Sequence, residues 1–366
     1  MQRVRIGMIG SGFIGRTFAN ALTLMHDVDL VAVAHGSRAP EFARDLGLAL
    51  EPSIDALVAR PDLDAVVIGL PDHMHMDAVL AAAAAGKHVF VEKPMAATTR
   101  DCDRMIQACS DAGVSLGVSK VLRYRGSPKA AKALVDEGSI GTIQMIRVTC
   151  SGMVSENNWE TKPWHKRVDA ASPWTDSASH TNDVVRWMTG QEAVQVYGQY
   201  QTFGGGEPYG QSASVVVRLA NGVVVDSWLS YELPSPGLPS RYTHFLIIGS
   251  EGILDVDAYG KVLLGTGDGW TEVYEQPPFD PNNPRDSSRL AGWAAMYQDF
   301  ADAIGEGRTP PVTGVDGRAA VEIGEAADLS NATGHAIRLP LVARPPDPVW
   351  ATWDRDVPAG GSSAVR

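Results

Sequence analysis

Three groups of residues in this sequence have types and spacing suited to chemistry. Glu92-Lys93-Pro94 closes an apolar run, His88-Val-Phe-Val91, with the β-branched and aromatic bias of a parallel strand covered on both faces. A carboxylate and an ammonium there stand where α/β sheets open their ligand crevice. The same pair could equally be a solvated ion pair worth about 0–1 kcal/mol. Asp176 and His180 are four residues apart in Thr175–Met188, a stretch of helical spacing that Gly190 closes. On one face, the carboxylate can orient the imidazole and favour its protonated form, as a general base requires. The alternative is an acid stabilising the helix dipole and a histidine that merely follows it. The third group is Gly10-Ser-Gly12-Phe13-Ile14-Gly15. It follows a strand, Val4–Gly10, and opens a helix, Arg16–Met25, which is the context a dinucleotide-binding loop needs.

The elements that must position these residues alternate through the first third. Strands at 29–34, 65–70, 89–91 and 115–119 alternate with helices at 40–46, 77–85 and 99–112, a rhythm that predicts a doubly wound parallel sheet. Gly10 permits the tight turn, Gly12 lets backbone approach a pyrophosphate, and Gly15 lets helix and strand pack closely. The anion would rest on the helix N-terminus. An acidic partner for the ribose 2′-hydroxyl belongs at the end of the second strand, but His35-Gly36-Ser37-Arg38 stands there. A hydroxyl and a guanidinium suit a 2′-phosphate, so NADP is favoured over NAD. His73 and His75 follow the third strand without further ligands at metal spacing, and their loop is expected to line the cofactor ribose and cap the next helix. No metal is expected.

From Ile143 the pattern changes to longer strands with polar and apolar residues alternating, among them 144–149, 193–201, 212–219, 223–231, 242–249 and 253–257, with an Asn221-Gly222 hairpin signal. This predicts a large open antiparallel sheet, with late helices at 293–304 and 317–331. A chain of 366 residues divides more naturally into two domains than one. The expected limits are 1–125 for dinucleotide binding, 126–343 for substrate binding and oligomerisation, and 344–366 as a Pro/Gly/Ser-rich arm. The net charge of −12 argues against nucleic acid and anionic membrane surfaces, which reward basic patches. With no bilayer-length apolar run, no signal-like leader and only Cys102, Cys109 and Cys150, a cytoplasmic location with reduced thiols is expected. A large apolar sheet face predicts a homodimer or homotetramer.

Taken together, Gly10–Gly15, Pro71 with His75, Gly86–Pro94, Trp164, Asp176-x-x-x-His180-x-x-Asp183, Tyr297–Phe300, Gly314–Ala327 and Gly334–Leu341 resemble the Gfo/Idh/MocA oxidoreductases, the glucose–fructose oxidoreductase and inositol dehydrogenase group. The resemblance implies a Rossmann domain joined to an open antiparallel sheet with the active site between them. It implies that Pro71, His75 and Glu92 serve the cofactor, and that Lys93 contacts nicotinamide and the substrate hydroxyl. Asp176 would bind and orient the substrate, and His180 would be the acid/base. The family is usually glycine-rich before the aspartate, whereas this chain has Ser172-Pro173-Trp174, and Ala178 stands where glycine is common. Trp159, Trp164 and Trp174 cluster before that helix, as sugar-stacking surfaces or as core and interface anchors. Trp164 and Trp174 are therefore candidate substrate contacts, with His165 and Lys166 weaker ones. The expected activity is hydride transfer between a secondary alcohol of a sugar, polyol or glycoside and NAD(P). The alternatives are a dehydrogenase of a cyclic dihydrodiol and a non-catalytic dinucleotide sensor.

Overall fold

The structure is a computed structural model that describes residues 3–153, 163–203, 210–238, 243–280 and 283–342. Trp159 and the expected 344–366 arm lie outside the described residues. The first stretch runs β1 (Val4–Ile9), α1 (Phe13–Ala21), β2 (Val28–Ala34), α2 (Ala39–Leu46), β3 (Ala49–Glu51), α3 (Ile54–Val58), β4 (Ala65–Ile68), α4 (His75–Ala84), β5 (His88–Val91), α5 (Thr99–Asp111) and β6 (Leu116–Val118). The second runs α6 (Gly126–Asp136), β7 (Ile143–Met153), α7 (Pro173–Thr189), β8 (Ala193–Gln201), β9 (Ser212–Leu219), β10 (Val224–Leu233), β11 (Thr243–Gly249), β12 (Ile253–Asp257), β13 (Lys261–Thr266), β14 (Gly269–Glu275), α8 (Ser287–Glu306), α9 (Gly314–Thr333) and β15 (Ile337–Arg338).

The first six strands form a parallel sheet in the order β3-β2-β1-β4-β5-β6. That is the doubly wound order whose switch point lies between β1 and β4. Its strands read as near-continuous apolar runs because helices cover both faces; all four residues of β4 are buried. The carboxyl ends of β1, β2, β4, β5 and β6 therefore deliver Gly10, His35, Gly69, Glu92 and Ser119 to one edge of the sheet.

The chain divides into two compact units, 1–125 with 277–318, and 126–276 with 319–366. Placing 277–318 in the first unit differs from the expected 126–343 substrate domain, and aromatic packing explains it. Tyr297 of α8 sets its ring 4.7 Å from Phe18 and 5.1 Å from Phe90, and Phe300 lies 5.1 Å from Phe90, all edge-on. Gly117 on β6 lets Phe300 approach, since a Cβ there would stand 2.7 Å from the ring.

The second unit is built on a nine-stranded sheet in the order β14-β13-β12-β11-β7-β10-β9-β8-β15. The expected antiparallel sheet is mixed: β7 and β10 pair in parallel, while the other neighbours run antiparallel. Alternation along most of β8 and β9 leaves one face buried and one open. The open face carries Met145, Val194, Tyr197, Val216 and Trp228, all more than a third exposed. β13 and β14 carry no such signal, because β14 is an edge strand exposed along nearly its whole length.

Candidate active site

The glycine loop has the backbone the motif requires. Gly10 adopts φ +109°, and a Cβ there would lie 2.6 Å from the Gly69 carbonyl oxygen. A Cβ on Gly15 would lie 2.5 Å from the Gly10 oxygen, whereas one on Gly12 would meet open space. Gly12 is also the N-cap of α1, with no side-chain cap and no acidic residue in the first turn. Its amide end is thus available to an anion, and a pyrophosphate fits this cradle. Phe13 is largely exposed beneath the Arg289 guanidinium, 5.6 Å from the ring centre, and Ile14 is half-buried. At the end of β2, His35 and Gly36 turn through positive φ, and the Ser11 hydroxyl donates to the His35 carbonyl at 3.3 Å. Ser37 and Arg38 beyond them are exposed, with no carboxylate between Ala34 and Glu41.

Beyond β4, Pro71 is half-buried and His75 is wholly buried. His75 Nε2 lies 2.9 Å from the Leu70 carbonyl, and Nδ1 lies 3.0 and 3.2 Å from those of Pro94 and Met95. Burial is the main force holding its pKa down, against the pull of these carbonyls. The His75 side chain is therefore unavailable to line a ribose, whereas the loop that carries it, with Pro71 half-buried, stays a candidate. His75 has no exposed surface to offer; it braces the β4 and β5 loops, so any service to a cofactor is indirect. His73 instead approaches Asp72, at 4.0 Å.

Glu92 is buried and Lys93 half-buried; the Lys93 amide donates to Glu92 Oε2 at 3.2 Å, and the Lys93–Pro94 bond is cis. Burial pushes the Glu92 carboxyl up to about 6, against the Ser119 hydroxyl and the charges of Lys93 and Lys120, which pull it down. Its charge in turn helps hold the buried Tyr297 phenol far above its ordinary value, after burial itself. Glu92 is thus a structural hub at the strand ends, while Lys93 reaches the surface of this unit. Lys120, 1% exposed, was absent from the sequence expectations. Only the β5–β6 register, Val91 beside Val118, brings residues 92 and 119 and the charges that follow them to neighbouring strand ends.

In the second unit α7 begins at Ser172, whose hydroxyl accepts from the Thr175 amide at 3.1 Å, a cap worth about 1 kcal/mol. Pro173 takes the first helical position, and Gly190 in the left-handed conformation ends the helix. From 172 to 185 every residue is buried except Asp176 and His180, both half-buried. Two polar side chains one turn apart are thus the accessible stripe of an otherwise enclosed stretch of the helix, and Asp183 is buried one turn further on. Trp174, expected at the substrate, is 1% exposed, with its ring centre 6.2 Å from that of Tyr200. It is a core residue, because the first turn of α7 directs it inward. Trp164 and His165 are half-buried on the short 3-10 turn Pro163–Lys166, ring centres 5.5 Å apart, and Lys166 is half-buried beside them.

Residues 4–120 match the model of the oxidoreductase family with an NAD-binding Rossmann fold, and residues 129–255 match the GFO/IDH/MocA C-terminal domain. The chain spans about half the length of the first curated relatives it matches. One is 2,7-anhydro-N-acetylneuraminate hydratase of Escherichia coli (strain K12), 29% identical over 53% of this chain and 52% of that protein. Inositol 2-dehydrogenase of Rhizobium meliloti (strain 1021) is 28% identical over 92% of this chain and 99% of its own. An oxidoreductase from Agrobacterium radiobacter, solved with NAD+, L-tartaric acid and magnesium, shares the fold with a TM-score of 0.82 at 20% identity. That alignment covers 92% of this chain and 98% of the other. With both domain models matched in order, and with the glycine loop, the Glu-Lys-Pro strand end and the Asp/His helix in place, the chain belongs to the Gfo/Idh/MocA oxidoreductase family.

Proposed function

We propose that this protein is an NAD(P)-dependent oxidoreductase that moves a hydride between a secondary alcohol carbon of a sugar, polyol or glycoside and the nicotinamide. The observation that carries the reading is the accessible Asp176/His180 stripe on α7, in a chain whose other domain is of the NAD-binding kind. When bound, the nicotinamide supplies the hydride acceptor. In the oxidative direction His180 takes the hydroxyl proton as general base, and Asp176 orients both imidazole and substrate. Lys93 stabilises the alkoxide that develops on the substrate oxygen. Glu92 holds the Lys93 backbone rather than exchanging protons. Trp164 and His165 are the remaining candidates for substrate contact. A screen of sugars and polyols with each nucleotide, following nicotinamide absorbance, tests the reading. Tight nucleotide binding without turnover of any of them would overturn it.

NADP is the favoured nucleotide, supported by the Ser37 hydroxyl and the exposed Arg38 guanidinium after β2. Arg38→Ala is expected to raise KM for NADP about tenfold or more, the scale of one charge-assisted contact, and to leave KM for NAD nearly unchanged. Equal effects on the two nucleotides would refute the assignment. The open sheet face supports a homodimer or homotetramer, since Tyr197, Val216 and Trp228 leave apolar surface in water. Sedimentation should show a multimer, and Val216→Lys with Trp228→Glu should shift it towards monomer. A wild-type monomer would end that proposal. No helix among the described residues is long and apolar enough to cross a membrane. A cytoplasmic setting is supported by the three buried thiols, Cys102, Cys109 and Cys150.

A further inference from the structure

The start of α7 is held by a buried carboxylate from a distant part of the chain. Asp328, on α9, is 5% exposed. Its Oδ1 accepts from the Ser172 hydroxyl at 2.8 Å, and its Oδ2 accepts from the Thr175 hydroxyl at 3.3 Å. Ser172 is the N-cap, and its oxygen already accepts the Thr175 amide. The cap is therefore itself anchored: amide to serine, serine to aspartate. A capping serine needs only its own lone pair for the helix, so the second bond serves something else.

The surroundings are built for that contact. Gly324, one turn before Asp328, lets α9 lie against α7, since a Cβ there would stand 2.4 Å from Thr175 Oγ1. The next turn of α9 is tied to β8, where the Gly198 amide donates to Ser330 Oγ at 3.0 Å and the Tyr200 amide to Asn331 Oδ1 at 2.8 Å. Tyr200 also turns its phenol toward Asp328, whose charge joins burial in raising the phenol's pKa. Glu325 is buried on the same helix and adds a like charge. Burial, the largest effect, lifts the Asp328 carboxyl to about 7, with the Ser172, Tyr200 and Thr175 hydroxyls opposing it. Burying this acid carries a desolvation cost that its hydrogen bonds to Ser172 and Thr175 offset in part.

We infer that Asp328 is a positioning residue: its carboxylate clamps the first turn of α7 through Ser172 and Thr175, and so sets the direction of Asp176 and His180. Asp176 directly follows Thr175, and its amide donates to the Ser172 carbonyl at 2.9 Å, so a shift of the cap is passed straight to it. This inference rests on the oxidoreductase reading for its catalytic consequence, but not for the clamp itself.

The test compares Asp328→Asn, which keeps one acceptor oxygen, with Asp328→Leu, which keeps none, and with Thr175→Val, which removes one donor at constant shape. Hydrogen exchange is read at the Thr175 and Asp176 amides, with turnover measured in parallel. Exchange there should quicken in the order Asn, then Leu, while amides in the C-terminal half of α7 keep wild-type protection. Turnover should fall about 10- to 100-fold in Asp328→Leu and by less in Asp328→Asn, as a misplacement on the ångström scale would give. KM for the nucleotide should stay within about twofold, because the glycine loop is untouched. If Asp328→Leu does not fold, Asp328→Asn and Thr175→Val decide. Unchanged exchange at Thr175 and Asp176 in the folded variants overturns the clamp; quickened exchange with unchanged kcat overturns its catalytic role. A wild-type enzyme inert towards every sugar and polyol sinks the oxidoreductase reading instead, and the exchange result still decides the clamp.

Discussion

His180→Ala is expected to lower kcat by about 10²- to 10⁴-fold while leaving nucleotide affinity within about twofold. The loss follows from the role: an alcohol can give up hydride from carbon only as its hydroxyl proton departs, and the proposed acceptor for that proton is this imidazole. The selectivity of the loss follows from placement. His180 lies on α7 of the second unit, whereas the pyrophosphate cradle is made by β1 and the N-terminus of α1 in the first. Steady-state turnover with titration of nucleotide fluorescence checks both halves. Near-wild-type turnover on a true substrate would discard the mechanism. Asp176→Asn should behave more mildly under the proposed orienting role, since an amide keeps an acceptor oxygen but loses the charge.

Lys93→Met should cut kcat by about 10²- to 10³-fold, the usual effect of removing one group that stabilises a developing oxyanion. The backbone amide of Lys93 is tied to Glu92, which fixes the point from which the side chain extends. A second readout requires no substrate. Glu92 is held near 6 by burial, and the Lys93 charge is among the effects keeping it from rising further. An ordinary unfolded glutamate titrates at about 4.3, so the folded state binds this proton more tightly than the unfolded state. The associated stability is fully present below the unfolded value and is lost as pH rises through the folded one. Without Lys93 the folded value moves up, and the decline should continue to higher pH. Thermal midpoints of both proteins across a pH series measure this. Superimposable pH dependences would show that Lys93 and Glu92 do not sense each other, and unchanged turnover would remove Lys93 from the mechanism.

The sequence by itself determined the elements and most of the chemical groups. Period, turn residues and caps are local properties, so β8, β9 and β12 fall at 193–201, 212–219 and 253–257, the limits their alternation predicts. The glycine loop is legible because its three glycines answer to backbone contacts within one strand–turn–helix unit. Asp176 and His180 are legible because four residues on a helix share one face. Tertiary structure alone decided which way side chains point and what distant segments share. Trp174 and His75 looked like ligand contacts by type, but the direction of their helices turned both inward. The parallel pairing of β7 with β10, and the transfer of α8 to the first unit through Tyr297 and Phe300, are choices among partners that alternation does not distinguish.

Lys120 beside Glu92 depends on strand register, and Asp328 on Ser172 spans 156 positions of sequence. A hydrogen bond closed over such a separation leaves no period or spacing in the chain. Candidate residues that share a single helix or turn were therefore readable, and contacts closed between distant segments were not.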